Sequence, residues 1–181
     1  MNTPNGYAQI NALFGNPAND NGSLNHAWYA ANIISVPPPA GWQLYYQDSA
    51  GVAPAPVSSI QMHRLLKDIF QTVLQQVWYY AAQEAGTTPT DDDIRSWIHQ
   101  NRLDLTAGGF NFRPNTSNKT VLSMHSYGIA IDWDAVNNPR KKPLTCTLPD
   151  WWYNIWAQNG WSDGRHFATP DPMHVQFATG A

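Results

Sequence analysis

The sequence predicts an α+β fold, with a small, mostly antiparallel sheet flanked by helices and preceded by long N-terminal loops. Apolar residues recur at the 3.6-residue helical spacing through the middle of the chain, and short alternating segments follow near the C-terminus. Helices that come first and strands that come later are typical of α+β domains, whereas regular alternation favours a parallel sheet. At 181 residues the chain suits one well-buried core, so we expect a single domain over 1–181.

The first segment, 1–57, is rich in Asn, Pro and Gly, which favour turns and extended connections. We expect this segment to wrap over the core as long loops, with short strands at 28–34 and 42–46. The remainder, 58–181, is expected to supply the helices and the sheet.

Three helices are predicted. The first has an N-cap at Ser58 or Ser59, keeps its apolar residues at helical spacing, and ends at Gly86. The second spans about 90–100, where three consecutive aspartates complement the positive end of the helix. The third spans about 149–159 and has a proline at its first position.

Four strands are predicted after the second helix. They lie at 109–113, around His125, at 129–133 and at 174–177. These short segments are the source of the expected antiparallel sheet.

The strand at 129–133 places a carboxylate on the face opposite the core. Alternation directs its large apolar side chains inward and Asp132 outward. His125 lies seven residues earlier, an odd offset that in one straight strand would point it to the opposite face. A turn at Gly128, where glycine permits unusual backbone angles, would bring the two side chains together.

The last strand repeats this arrangement. Met173, Val175 and Phe177 share one face, so His174 points to the other, and Asp171 lies at the start of the strand. Two imidazoles and a carboxylate are a suitable ligand set for catalytic zinc, and a further carboxylate could serve as a general base. The same ligand set can also hold iron(II), so the residues alone leave the metal open.

The charge balance argues against nucleic acid as a partner. The net charge is −3, and the only basic run, 140–142, precedes a proline and is expected to be a solvated loop. Charged residues make up only 13% of the chain, whereas Trp and Tyr are abundant. These aromatic residues suit either a core of large rings or a surface that binds a polymer.

Compartment and membrane signals are few. No apolar run approaches the roughly 20 residues that a membrane-spanning helix needs, so we expect no stable membrane insertion. The first residues lack the features of a secretory signal peptide, so we expect synthesis in the cytoplasm without one. The single cysteine, Cys146, cannot form an intrachain disulfide.

Two motifs and an arginine carry a resemblance to a known family. The motifs are Ser-x-His-x-x-Gly-x-Ala-x-Asp at 123–132 and Asp-Pro-Met-His at 171–174, and Arg113 precedes them. With this spacing the chain resembles the zinc D-Ala-D-Ala carboxypeptidase and L-alanyl-D-glutamate peptidase family, which includes VanX- and VanY-type enzymes and many phage endolysins.

The resemblance implies a role for each matching residue. His125, Asp132 and His174 would hold one zinc ion, and Asp171 would act as the general base that takes a proton from water. Arg113 would hold the carbonyl oxygen of the substrate as negative charge develops.

Two further residues are expected near the site. Ser123 is expected to support it through hydrogen bonds, and His166 to touch the substrate. Two positions depart from the common pattern of the family. Asp171 replaces a frequent Glu, as in the endolysin-like branch, and Gln176 replaces a Glu, so no carboxylate role is expected at that position.

The resemblance predicts a zinc-dependent hydrolase of peptidoglycan stem peptides, a phage endolysin that cleaves the L-alanyl-D-glutamate bond. We expect a monomer that is made in the cytoplasm and acts on the bacterial cell wall. Three alternatives stay open. The first is a D-Ala-D-Ala carboxypeptidase or dipeptidase, and the second is a non-catalytic wall-binding module stapled by zinc. The third is a glycan-cleaving enzyme that pairs Asp132 with Asp134.

Overall fold

The computed structural model describes residues 1–180. The helices are α1 (Gly6–Phe14), α2 (His26–Asn32), α3 (Lys67–Glu84), α4 (Asp91–Gln100) and α5 (Asp150–Gln158). The strands are β1 (Ile33–Val36), β2 (Leu44–Tyr46), β3 (Ala55–Val57), β4 (Ile60–His63), β5 (Leu105–Gly108), β6 (Ala130–Trp133), β7 (Ser162–Gly164) and β8 (Asp171–Gln176). Two short 3₁₀ helices span Arg64–Leu66 and Met124–Tyr127.

The strands form two sheets. The larger has the order β3-β2-β5-β6-β8-β7, and all of its neighbouring strands are antiparallel except β2 and β5. The smaller is an antiparallel pair of β1 and β4. The predicted α+β class with a mostly antiparallel sheet is therefore confirmed.

Aromatic side chains fill the core between the large sheet and the helices. The ring of Trp133 on β6 lies 5.8 Å from that of Trp156 and 6.1 Å from that of Trp152, both on α5. Phe70 on α3 reaches the same cluster, 6.4 Å from Trp156. Seven of the nine tryptophans are buried, so most of the indole surface serves packing rather than display.

The N-terminal segment departs from the prediction of long loops. It contains α1, α2 and three strands, and α1 buries Ile10 and Phe14 in the core. The strand predicted at 28–34 is wrong, because helix α2 continues to Asn32 and β1 begins at Ile33. Short helices with few buried residues give weak periodicity, so tertiary packing rather than local pattern decides them here.

The start of the long helix is also later than predicted. Segment Ile60–His63 is strand β4, paired with β1, and helix α3 begins only at Lys67. Four residues, of which two are apolar, are too few to distinguish a strand from a helical turn by periodicity alone. Here the segment forms a strand because β1 is available to pair with it.

Two predicted strands around the site are wrong as well. Segment 109–113 follows strand β5 instead of forming a strand, and His125 lies in a 3₁₀ helix. Gly109 passes so close to the backbone of Gln61 that any Cβ would collide with its carbonyl oxygen. The next residue, Phe110, donates its N–H to the same Gln61 carbonyl at 2.8 Å. This close contact between the two backbones takes the place of regular strand pairing.

The remaining predicted elements are confirmed. Helix α4 begins with a capping box in which Thr90 and Asp93 exchange hydrogen bonds. Helix α5 follows Pro149, and β6 and β8 lie where alternation placed them. None of the helices within residues 1–180 is long and apolar enough to span a bilayer.

Candidate metal centre

Strands β6 and β8 bring two of the predicted ligands together. The strands are antiparallel neighbours, and Asp132 is paired directly with His174. Paired residues direct their side chains to the same face, so the carboxylate and the imidazole meet. Ile131, Trp133 and Val175 are buried, as alternation predicted, whereas Met173 is only half-buried.

The third predicted ligand arrives from a turn. His125 lies in the 3₁₀ helix Met124–Tyr127, whose N-cap is Ser123, and the Ser123 Oγ accepts the N–H of His125 at 3.3 Å. Gly128 then adopts a left-handed conformation with φ of 68° and leads the chain into β6. The predicted turn at Gly128 is confirmed, and it brings His125 to the face that carries Asp132.

The three side chains converge on a small space. The Asp132 Oδ1 lies 3.2 Å from the His125 Nε2 and 3.0 Å from the His174 Nδ1. The two imidazole nitrogens are 3.2 Å apart. Potential ligand atoms of these residues form the one group of this kind found among the described residues.

Hydrogen bonds on the far sides of the imidazoles fix their protons. The His125 Nδ1 donates to the carbonyl oxygen of Gly109 at 2.6 Å. The His174 Nε2 donates to the Gln176 Oε1 at 2.9 Å, and the Gln176 Nε2 donates in turn to the Ala178 carbonyl at 3.2 Å, which sets the orientation of the amide. Because each ring proton is used outside the centre, the nitrogens that face Asp132 carry lone pairs.

These contacts fit a bound cation. Three acceptor atoms without a proton between them repel one another unless a positive charge lies at their centre. A tetrahedral zinc ion with bonds of about 2.0–2.1 Å separates its ligand atoms by roughly 3.3 Å, close to the 3.0–3.2 Å found here. The donor set suits zinc, although imidazole and carboxylate also suit iron(II).

The charge state of Asp132 agrees with this interpretation. Burial alone would raise the pKa of its carboxyl, but when His125 and His174 are protonated, their positive charge outweighs burial and holds the pKa below its usual range. A bound cation would act on the carboxylate in the same direction, because it too places positive charge beside Asp132. The group is therefore an anion over the physiological pH range. One negative and two neutral ligands leave positive charge on a divalent ion.

Asp171 lies beside this centre as the first residue of β8. Its side chain is only 14% exposed, and its Oδ1 is buried without a hydrogen-bond partner within residues 1–180. Burial raises the pKa of the Asp171 carboxyl, which makes it a better proton acceptor than an exposed carboxylate.

Residues of the centre line two cavities. One, of about 380 Å³, is lined by His174 and Asp171, and the other, of about 230 Å³, is lined by His125 and Asp132. Arg113 lines both. The candidate ligands are therefore divided between the linings of two cavities.

The other predicted site residues differ in how well they are placed. Arg113 contacts Thr116 through its Nη1 at 3.1 Å and lines both cavities. Ser123 is 5% exposed and caps the turn that carries His125, the supporting geometry expected of it. His166 is exposed and absent from the lining of these two cavities, so the structure lends no support to its contact with substrate.

Asp134 does not offer a second catalytic carboxylate. It is 1% exposed, and its Oδ1 accepts hydrogen bonds from the Arg102 Nε at 2.8 Å and Nη2 at 2.7 Å. The glycan-cleaving alternative, which pairs Asp132 with Asp134, therefore has no geometric support.

Sequence reasoning missed three groups at the site. The Gly109 carbonyl had no signal in the sequence, because any residue supplies a carbonyl. Gln176 was noted only as lacking a carboxylate, yet its position two residues after His174 on one strand places it on the same face. The third is Arg140: the run 140–142 is an irregular segment with Lys141 and Lys142 exposed, but the Arg140 side chain lines the larger cavity, with its Nε 3.7 Å from the Asp171 Oδ2.

Comparison with known proteins supports the assignment of these residues to a functional site. Residues 116–177 match a family model described as D-alanyl-D-alanine carboxypeptidase. The resemblance predicted from the motifs is confirmed. The matched segment, about a third of the chain, contains the three converging side chains and Asp171 but begins after Arg113. No curated protein and no solved structure matches the chain. The match and the convergent ligand set together support a carboxypeptidase-like metallopeptidase.

Proposed function

We propose that this protein is a zinc-dependent peptidoglycan hydrolase that cleaves the L-alanyl-D-glutamate bond of the stem peptide, and that it acts as a phage endolysin on the bacterial wall. The observation that carries the proposal is that residues of the centre line two cavities rather than one. A peptide that continues on both sides of its cleaved bond needs space on both sides of the metal. An enzyme that removes one terminal residue needs space for only that residue on the leaving side of the metal.

Each residue of the centre has a role in this reaction. His125, Asp132 and His174 would hold the zinc ion, which when bound polarises the substrate carbonyl and lowers the pKa of a coordinated water. Asp171 takes the proton of the attacking water and passes it to the leaving amine. The partly buried position of Asp171 favours this exchange, because its carboxyl holds a proton more readily than an exposed one.

Arg113 is proposed to stabilise the oxygen of the attacked carbonyl. This role is supported by its presence in the lining of both cavities, because a peptide that ran from one cavity to the other would pass Arg113. A permanent positive charge at this point stabilises a developing negative charge more than it stabilises the neutral carbonyl.

The family match favours a second candidate function. The description of the matching model is D-alanyl-D-alanine carboxypeptidase, so removal of a terminal D-alanine is the closest competitor. The chemistry and the residues are the same, and only the cleaved bond differs.

A non-catalytic wall-binding module is less well supported. Structural zinc sites are usually closed by four Cys or His ligands, whereas three ligands converge here beside a buried, unpaired carboxylate oxygen. A structural staple has no need of such an oxygen next to an open cavity.

The test is digestion of purified muropeptides, with the products identified by mass spectrometry. We expect release of the stem peptide by cleavage between L-alanine and D-glutamate, loss of activity with a chelator, and recovery when zinc is added. Release of free D-alanine with an intact stem peptide would reject the proposed bond in favour of the carboxypeptidase. Absence of any cleavage by zinc-loaded, folded protein would support the binding module instead.

A further inference from the structure

The larger cavity carries a positive charge that the proposed reaction has not used. The guanidinium of Arg140 is partly buried in its wall, and its Nη2 donates to the Ser117 Oγ at 2.7 Å. The adjacent backbone is fixed, because the Lys141 N–H donates to the Pro170 carbonyl at 3.0 Å. Arg140 is therefore held against the cavity, although it belongs to a short basic run.

Part of this guanidinium is free to bind a ligand. The separation of 3.7 Å between its Nε and the Asp171 Oδ2 is an ion-pair distance but too long for a hydrogen bond. Within residues 1–180, Ser117 provides its only hydrogen-bonded acceptor. Arginine offers five N–H donors in a planar fork that matches a carboxylate, so most of its capacity is unused.

The two cavities differ in charge. Arg140 lines only the larger cavity, on the side of Asp171. The lining of the smaller cavity includes Tyr46, Phe110 and the candidate ligands His125 and Asp132, and Arg113 is the only arginine or lysine in it. An anionic group of the substrate is therefore favoured on the Asp171 side.

The mechanism places the leaving residue on that same side. Asp171 passes a proton to the leaving amine, so the amine nitrogen must come within hydrogen-bond reach of its carboxylate. The α-carboxyl group of any amino acid is two bonds from its amine nitrogen. An α-carboxylate on the leaving residue thus falls close to the guanidinium of Arg140.

Both candidate substrates can present this group. Glutamate has two carboxyl groups, and when its side-chain carboxyl forms the onward peptide bond, the α-carboxylate is free. A terminal D-alanine has a free α-carboxylate because it ends the chain. In either case the anion would lie near the negative charge of Asp171, and that repulsion needs a neighbouring cation to offset it.

We propose that Arg140 binds the free α-carboxylate of the leaving residue and thereby selects substrates that carry one. The inference rests on the proposed hydrolytic function, but it does not depend on which of the two bonds is cleaved. Arg140 is a specificity residue for the substrate, distinct from Arg113 at the attacked carbonyl.

The test compares matched peptides with the leaving residue as α-carboxylate or as α-amide. One pair contains L-alanyl-D-glutamate linked onward through the side-chain carboxyl, and the other pair ends in D-alanyl-D-alanine. The proteins are wild type, Arg140→Gln and Arg140→Lys, with Lys142→Gln as a control. Lys142 is exposed and two residues away, so its variant removes the same charge without reaching the cavity.

For the wild type we expect the amide to raise KM about 10- to 100-fold, the effect of losing a hydrogen-bonded ion pair. Arg140→Gln should raise KM to a similar degree for the carboxylate peptide and change KM little for the amide. Arg140→Lys should recover part of the loss, because it keeps the charge but not the fork. Lys142→Gln should match wild type.

Other outcomes separate failure of the inference from failure of the proposed function. Equal KM for carboxylate and amide peptides in the wild type overturns the inference. An Arg140→Gln effect confined to kcat and its pH profile, equal for both peptides, also overturns it, because Arg140 would then act only on Asp171. Cleavage of the D-alanine pair alone rejects the proposed bond, and the same comparison within that pair then decides the role of Arg140. Cleavage of neither pair rejects both.

Discussion

Replacing Gln176 with leucine should weaken metal binding without removing a ligand. The Gln176 Oε1 accepts the Nε2 proton of His174 at 2.9 Å, and the side chain is 4% exposed. In Gln176→Leu that proton has no acceptor, and the imidazole is free to place its proton on Nδ1 instead. The nitrogen that faces Asp132 then loses its lone pair for part of the time.

The size of the effect follows from the buried hydrogen bond. An unsatisfied buried donor costs about 1–3 kcal/mol, and losses of hydrogen bonds to metal-bound histidines typically reduce affinity 10- to 100-fold. A tenfold change corresponds to about 1.4 kcal/mol, so the two ranges agree. We therefore expect zinc to bind about 10- to 100-fold more weakly to Gln176→Leu.

The assay is competition for zinc against a chromophoric chelator, with circular dichroism to verify folding. Gln47→Leu is the matched control, because Gln47 is also buried and hydrogen-bonded but lies at Arg102, away from the centre. It should lower stability and leave zinc affinity unchanged. Gln176→Glu keeps the acceptor and should retain affinity. Unchanged zinc affinity in a folded Gln176→Leu would refute the argument that this amide fixes the ring proton.

Three further predictions test other parts of the structure. Asp171→Asn should retain zinc affinity and lower the rate of peptide hydrolysis by about 10²- to 10⁴-fold. The control is Asp20→Asn, which changes an exposed aspartate. Near-normal hydrolysis by Asp171→Asn would exclude Asp171 as the general base. Gly128→Ala should lower the free energy of unfolding, measured in urea, by at least about 3 kcal/mol. The reason is that φ is +68° and a Cβ would lie 2.7 Å from the backbone nitrogen of His63. A loss of less than about 1 kcal/mol would contradict this. Burial lowers the pKa of His63 to about 4, so the unfolded chain binds this proton first as the pH falls. Its contribution to stability is complete above about pH 6.5 and should decline by about 3 kcal/mol toward pH 4, a slope that His63→Gln should reduce.

Local pattern was sufficient for the elements that carry strong periodic or capping signals. Thr90 and the aspartates that follow it predict the start of helix α4, and the alternation of side chains around Asp132 predicts strand β6. The same alternation gave the direction of His174 on β8. In each case the signal lies within a few residues and depends little on the rest of the chain.

Elements decided by distant partners were predicted poorly. Segment Ile60–His63 is a strand because β1 is available to pair with it, and α1 is a helix because Ile10 and Phe14 find places in the core. Gly109 leaves the strand conformation because the backbone of Gln61 crosses it. None of these partners is near in sequence.

The sequence by itself determined the identity of the candidate ligands, since residue types, spacing and strand parity are local properties that chemistry constrains closely. It also gave the turn at Gly128, because few other residues tolerate that backbone. Only the tertiary structure decided which ring nitrogens face Asp132, because the Gly109 carbonyl and the Gln176 amide that hold the opposite protons must be positioned in space. The same is true of Arg140, whose place beside Asp171 depends on how a distant loop docks against β8.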